Sequence, residues 1–367
     1  MRVPATTVVP VSQTAIDASP WQPKIAFSWN GLPQYAARLL RGALDVIGED
    51  CVVIGSRPSV PVEGMEDALR HKIHWVDASQ RTTWRAMKLG VPDIYFQSGW
   101  GYPAFSALGD EVRRNGGHVI GMSDANWRGD WRQVLGTLAF RLHYGKQFDA
   151  MLVPGRQGEL LMRRFGMRAN RVRQGMYGAD PDLFGGGLPL PERPQEFLFV
   201  GQFIARKDVL GLARAFINIA DRRPDWRLLL IGSGEQRDQI PAHPSIRVED
   251  FVQPEQLADK FRSARFFVLP SLTEAWGLVA HEAALCGCAL VLSDRIGSAD
   301  DLATPTNSVR FKAGNVADLS RALDMATQFD ASRLAGAEAM SRQLARQFGP
   351  QRFGHEAGQL VKMFQKG

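Results

Sequence analysis

Short apolar runs alternate with amphipathic stretches along most of this chain, and each run ends in small or turn-forming residues. KIAFSW (24–29), CVVIGS (51–56), DIYFQSG (93–99), HVIGMS (118–123) and DAMLVPG (149–155) have the length and content of strands buried on both faces. PQYAARLLRGALDVIG and GELLMRRFG carry apolar positions at helical spacing. Such alternation predicts a parallel sheet covered on both sides. GGGLPLPERPQ (185–195) breaks the pattern, being too rich in Gly and Pro for either element and too polar for a core, which predicts an interdomain linker. Alternation then restarts, with EFLFVGQ, WRLLLIGSG, IRVEDFV, RFFVLPS and ALVLSD as strands and DVLGLARAFINIADRRP and PEQLADKFRSA as helices. The last forty residues are helical in pattern, and FGPQRFGHEAGQLVKMF could fold back across the linker.

The expected fold is therefore α/β, with two doubly wound Rossmann-like domains facing a central cleft. Its parts are a flexible tail (1–23), an N-terminal domain (24–188), a C-terminal domain (189–345) and a closing helix (346–367) packed back toward the N-terminal domain. Ligands of such folds bind at the carboxyl ends of the strands.

A length of 367 residues suits two domains, and 45% hydrophobic content with mixed charge describes a soluble globular chain. No apolar run approaches the ~18 residues of a membrane span, and the residues after Arg2 do not form a signal-type leader. Cys51, Cys286 and Cys288 make no even framework, and Cys-Gly-Cys is neither a zinc nor a thioredoxin spacing, so a reducing, cytoplasmic location is expected. The net charge of +6 is unevenly spread: RQGELLMRRFGMRANRVR (156–173) holds six arginines against one glutamate, interleaved with Leu160, Leu161, Phe165 and Met167. That segment is either a basic, partly apolar surface for anionic lipid at the inner membrane face or for a charged acceptor, or a solvated helix face with a strand end. No zinc finger, basic zipper or ribonucleoprotein motif argues for nucleic acid.

Candidate chemistry concentrates in SLTEAWGLVAHEAALCGCAL (271–290), a largely apolar stretch with two acids, Glu274 and Glu282. Ionised carboxylates resist burial unless hydrogen bonds replace the lost water. No partner is close in sequence, so bound hydroxyl groups, rather than protein cations, are expected to satisfy both acids. A helix starting near Gly277 places Glu274 ahead of its first turn and Glu282 one to two turns in, between Leu278 and Leu285. Free amides at the helix start attract an anion, and Gly277 permits close approach. A cap and a distant arginine are the structural alternative for the two acids. A second constellation, GQFIARKD (201–208), sets Arg206 and Lys207 just before a helix, where cations oppose the helix dipole and therefore call for another role. A third, SWNGLPQYAARLL (28–40), is a strand, tight loop and helix. Its Gly31 either admits a phosphate or sugar or simply turns the chain.

FLFVGQFIARKDVLGLARAF, LLLIGSGE, RFFVLPSLTEAWGLVAHEAALCGCALVLSD and YGADPDLF together resemble the retaining glycosyltransferases of family 4, which have the GT-B fold. The resemblance is close over roughly residues 171–325 and looser before them. It implies that Glu274 contacts the donor sugar's hydroxyls, that Glu282 grips the ribose, and that amides around Trp276, Gly277 and Leu278 hold the diphosphate of a nucleotide diphosphate sugar. It also implies a charged pair in the second constellation. Lys207 stands at the expected place, but Gln202 occupies the usual arginine position, leaving Arg206 to supply the charge. Where many members carry a histidine on the acceptor side, this chain has Asp124, which either orients the acceptor or caps the following helix. Aromatic residues of SGWGYP (98–103) suit stacking on sugars as well as ordinary packing.

Other signals fall away. Asp180 and Asp182 lie in YGADPDLF, used by the family as the exit from its first domain, and are not a metal pair. IGSGEQR has Arg237 where a dinucleotide fingerprint needs glycine. His71 and His74 sit in a strand-like stretch that points them apart. No metal and no cofactor are expected, since Lys207, Arg206 and helix amides meet the diphosphate charge. The expected activity is sugar transfer, with retention implied by the resemblance, from a nucleotide diphosphate sugar to a hydroxyl of a glycan or lipid-linked glycan in cell-surface polysaccharide synthesis. The rival is a non-catalytic sugar-nucleotide-binding or scaffold subunit, motivated by Gln202 and the missing histidine; an epimerase of the same architecture is disfavoured by the two-acid segment.

Overall fold

The computed structural model describes residues 24–58, 64–127 and 131–365; the tail expected at 1–23 lies outside them. The apolar runs pair into two wholly parallel sheets. In the first, β1 (Ile25–Trp29), β2 (Cys51–Gly55), β3 (Ile73–Trp75), β4 (Ile94–Ser98), β5 (His118–Met122), β6 (Ala150–Val153) and β7 (Val172–Gln174) lie in the order β3-β2-β1-β4-β5-β6-β7. In the second, β8 (Glu196–Val200), β9 (Arg227–Ile231), β10 (Ile246–Glu249), β11 (Phe266–Leu269), β12 (Ala289–Ser293) and β13 (Ser308–Phe311) lie in the order β10-β9-β8-β11-β12-β13. Strand order reverses between β1 and β4 and again between β8 and β11. Each reversal opens a crevice at the carboxyl ends of its sheet, where doubly wound folds bind ligands.

Helices α1 (Gln34–Ile47), α2 (Met65–Leu69), α3 (Pro103–Arg114), α4 (Trp131–Ala139) and α5 (Arg156–Arg164) accompany the first sheet. The second carries α6 (Val209–Ala220), α7 (Pro254–Ser263), α8 (Leu278–Leu285), α9 (Ala299–Leu302), α10 (Val316–Thr327) and α11 (Ala331–Ala345). Each sheet separates two apolar clusters, so its central strands are buried on both faces, as continuous hydrophobic runs require, while the edge strands β3, β7 and β10 are partly exposed. The last helix, α12 (Pro350–Phe364), leaves the second domain and lies along α1, burying Phe353, Ala357, Leu360 and Val361 with the first sheet's core. Glycine makes that contact close: a Cβ on Gly354 would stand 2.1 Å from the Gly42 carbonyl oxygen.

Two sequence expectations change. The segment 185–195 is not too polar for a core, because Leu190 and Arg193 are buried. The Arg193 guanidinium donates to the carbonyls of Leu188 (2.9 Å), Phe261 (3.2 Å), Ala264 (3.0 Å) and Cys286 (2.7 Å), so hydrogen bonds to fixed backbone dipoles replace its water. In the arginine-rich segment, Leu161 and Phe165 belong to the core under the first sheet, whereas Leu160 is exposed. Those apolar residues chiefly hold α5 to its sheet. No described helix is long and apolar enough to cross a membrane.

Candidate functional site

The C-terminal crevice forms where β8 and β11 diverge. After β8 the chain turns through residues 201–207 before α6, and after β11 it runs through 270–277 into α8. These loops bring Lys207 and Arg206 onto Glu274, 67 and 68 residues away in sequence. Lys207 Nζ lies 2.6 Å and Arg206 Nη1 3.1 Å from Glu274 Oε2, and Arg206 also donates to the Thr273 carbonyl. The Glu274 and Lys207 side chains are only 15% and 12% exposed, so water screens their attraction weakly. This corrects the expectation that Glu274 depends on bound hydroxyls alone: protein cations already meet it. Its backbone is pinned as well, by Glu274 N–H to Arg295 O and Gly297 N–H to Glu274 O, both at 3.0 Å.

Gly277 precedes α8 in a left-handed conformation (φ 84°), which L side chains rarely adopt. Among the described residues, no protein acceptor meets the amides of Trp276, Gly277 and Leu278. The Trp276 ring is buried against Phe348, with its indole N–H also unmatched. A run of amides without protein acceptors thus follows Glu274 and its two cations at the start of α8, an arrangement suited to a diphosphate.

Glu282, on α8, lies near enough to Tyr35 of the first domain to act on its phenol and has no hydrogen-bond or ion-pair partner among the described residues. Part of its surface stays accessible, yet burial pushes the carboxyl up to about 7. The neighbouring His281 is structural. Ala179 N–H donates to its Nδ1, its Nε2 faces the Ala345 carbonyl at 2.8 Å, and burial lowers its pKa to about 4. The ring thereby ties α8 to the chain crossing and to the end of α11.

From the first domain, Asp124 follows β5 and accepts a hydrogen bond from the Tyr177 hydroxyl at 3.1 Å; Tyr177 is hydrogen-bonded in turn to Tyr35. Burial pushes both phenols upward, so they remain protonated donors. Asp124 is therefore held by the interdomain crossing, and residues 125–127 after it are not helical, so it is not the residue that immediately precedes a helix. Asp124 and Glu274 line the same interdomain cavity of about 660 Å³, with Asn126, Gln157, Asp294 and Arg310 around them. Arg206, Lys207 and Glu282 do not line it, so Glu274 stands between that cavity and its two cations. The domains touch around it: the Asn126 amide reaches the Ala275 carbonyl, and the Arg156 N–H at the start of α5 meets Asp301 at 3.1 Å.

The remaining candidates fare unevenly. Gln202 is exposed at the end of β8. The Gly31 amide donates to Ser56 Oγ at 2.7 Å, so it is engaged within its own domain rather than offered to a phosphate. Trp100 packs on Phe140 and Phe165, leaving Tyr102 as the aromatic of that loop which lines a cavity. Asp180 pairs with Arg38. Among the described residues no His, Cys, Asp and Glu cluster is arranged to hold a metal. Tyr35 and Tyr177 fall inside candidate segments and Asn126 and Asp301 outside the candidate set, yet none was singled out; their partners are 50 to 150 residues away.

Two parallel doubly wound sheets facing one another across these residues are the GT-B architecture. The protein is similar over its length to a Rickettsia africae glycosyltransferase structure (TM-score 0.73, 10% identity, covering 95% of this chain and 99% of that one). It is likewise similar to Anabaena HepE in complex with UDP and glucose (TM-score 0.70, 12% identity, 93% and 99%). Residues 194–328, well under half of the chain, match the family model described as glycosyl transferases group 1. The D-inositol 3-phosphate glycosyltransferase of Paenarthrobacter aurescens is 29% identical over 212 residues, 54% of this chain and 50% of that protein. An uncharacterized glycosyltransferase of Methanocaldococcus jannaschii is 33% identical over 103 residues, 26% of each chain. The chain thus spans half the length of the first of these relatives.

Proposed function

We propose that the protein is a retaining glycosyltransferase that moves a sugar from a nucleotide diphosphate sugar to a hydroxyl of a glycan or lipid-linked glycan. The observation that carries this is the cluster at the C-terminal crevice: Lys207 and Arg206 on Glu274, beside the unmatched amides of Trp276, Gly277 and Leu278. HepE, a structural neighbour, holds UDP and glucose, and the trehalose-6-phosphate synthase neighbour was studied for transfer with retention. Lys207, Arg206 and the amides receive the diphosphate, and Glu274 turns its free lone pairs to the sugar hydroxyls. Glu282 accepts from the ribose, while Asp124, steadied by Tyr177, orients the acceptor.

In the reaction the acceptor oxygen forms its bond to the anomeric carbon as the carbon–oxygen bond to phosphate breaks on the same face. The departing phosphate oxygen takes the acceptor's proton. Negative charge grows on the diphosphate, where the two cations and the amides stabilise it most in the transition state. We propose that this set, rather than a metal, meets the charge, so activity survives a chelator. The test is a donor screen against lipid-linked oligosaccharide fractions, with mass-spectrometric detection and the product anomer assigned by NMR. A product with the donor's anomeric configuration is expected. Donor binding without nucleotide release, for every acceptor supplied, would favour the non-catalytic binding subunit that Gln202 brings to mind.

Ribose hydroxyls donate best to an ionised carboxylate, so donor binding expels the proton that burial keeps on Glu282. Affinity is therefore expected to be constant well above pH 7 and to weaken as pH falls through about 7, approaching tenfold per unit. Calorimetry between pH 6 and 8.5 measures this. Glu282→Gln should flatten the dependence, and an equal slope in that variant would reassign the titrating group.

A further inference from the structure

The first sheet has its own strand-order reversal, between β1 and β4, and a second cavity of about 710 Å³ opens there. Asn30 after β1, Ser56 and Arg57 after β2, Trp75 in β3, Asp77 after it and Tyr102 after β4 line it. The Trp75 ring is fixed from behind. A Cβ on Gly55 would come within 2.9 Å of it, and its indole N–H donates to Glu66 at 3.3 Å. Over the ring lies the Arg57 guanidinium, 4.1 Å from the centroid. Arg57 is exposed and has no carboxylate partner among the described residues. Asp77 lines the same cavity but forms no ion pair with Arg57; its Oδ1 accepts from the amide and hydroxyl of Ser79 at 2.9 and 2.7 Å.

We infer that this cavity is a recognition subsite for an anionic sugar unit of the acceptor, with Arg57 as the group that reads its carboxylate or phosphate. A guanidinium with no ion-paired acid among the described residues and stacked on an aromatic ring is a pre-placed fork for a planar or tetrahedral anion. Asn30, Asp77 and Tyr102 offer the polar groups and aromatic edge that sugar hydroxyls and ring faces need. The subsite lies on the same carboxyl edge as Asp124, and β4 separates β1 from β5. Two strand spacings therefore stand between Asn30 and Asp124, about 10 Å. The anion that Arg57 reads accordingly belongs to a part of the acceptor remote from the reacting hydroxyl, which favours an extended, acidic acceptor.

The inference rests on the sugar-transfer reading, and its test separates the two. Saturation-transfer NMR is run with D-glucuronate, glucose 6-phosphate and glucose on the full chain in the presence of UDP, whose own binding is followed by calorimetry. At least one anionic sugar is expected to bind at least tenfold more tightly than glucose, and the carboxylate and phosphate arms identify which anion is read. Arg57→Ala should abolish that preference, and Arg57→Lys should restore part of it, with UDP affinity unchanged in both. Equal binding of all three sugars, no binding of any, or a preference that survives Arg57→Ala would overturn the subsite. Failure of UDP to bind, with the Arg57-dependent preference intact, would instead remove the donor reading.

Discussion

Lys207→Ala and Glu274→Ala are each expected to lower sugar transfer by roughly two or more orders of magnitude, about 3 kcal/mol of transition-state stabilisation. Lys207 is the less exposed of the two cations on Glu274, and its ammonium lies closest to the carboxylate. Its loss removes charge where the leaving diphosphate becomes most negative. Loss of Glu274 frees the ammonium from its anchor and removes the acceptor for the sugar hydroxyls. Because the two groups act as a unit, the double variant should lose little more than either single one. Initial rates with saturating donor, beside calorimetric donor affinity, measure this; near-normal turnover in both single variants would discard the proposed site. Arg206, more exposed and bonded also to the Thr273 carbonyl, should matter less.

The second large effect concerns stability. Arg193→Met should destabilise the chain by about 2–4 kcal/mol, since it takes the guanidinium from the buried carbonyls of Phe261 and Ala264 and from the more exposed Leu188 carbonyl, and leaves the Cys286 carbonyl to Arg342 alone. These carbonyls come from the segment before β8, from the end of α7 and its following turn, and from the end of α8. One guanidinium therefore fastens the entry of the second domain to two of its helices. Denaturant unfolding measures the loss, and a change below about 1 kcal/mol would show that water or rearranged backbone takes over. Arg193→Lys should recover little, because a single ammonium cannot present the planar fork that spans these carbonyls.

The strands were readable because each sheet is parallel and covered on both faces, which forces uninterrupted apolar runs such as FLFV and FFVL into the sequence. The helix start at Gly277 was readable for a similarly local reason, since a glycine at positive φ and the acids around it follow from backbone geometry within one turn. Contacts between distant segments were not. Glu274 looked like an acid awaiting hydroxyls because its two cations come from another loop. Gly31 looked free because the Ser56 hydroxyl that occupies its amide follows a neighbouring strand. Arg193 looked solvated because its partners are backbone carbonyls, which no side-chain pattern marks.

By itself, then, the sequence determined the alternation of strands and helices, the placing of Glu274 and Glu282 around the start of a helix, and the pairing of Arg206 with Lys207 ahead of another. These depend on periodicity and on backbone rules that act over a few residues. Only the tertiary structure decided which charges neutralise one another, that Glu282 stays unpaired and hard to ionise, and that Asp124 is steadied by Tyr177 from the domain crossing. Electrostatic and desolvation energies depend on distance through space and on excluded water, and both are set when two sheets and their loops are brought face to face.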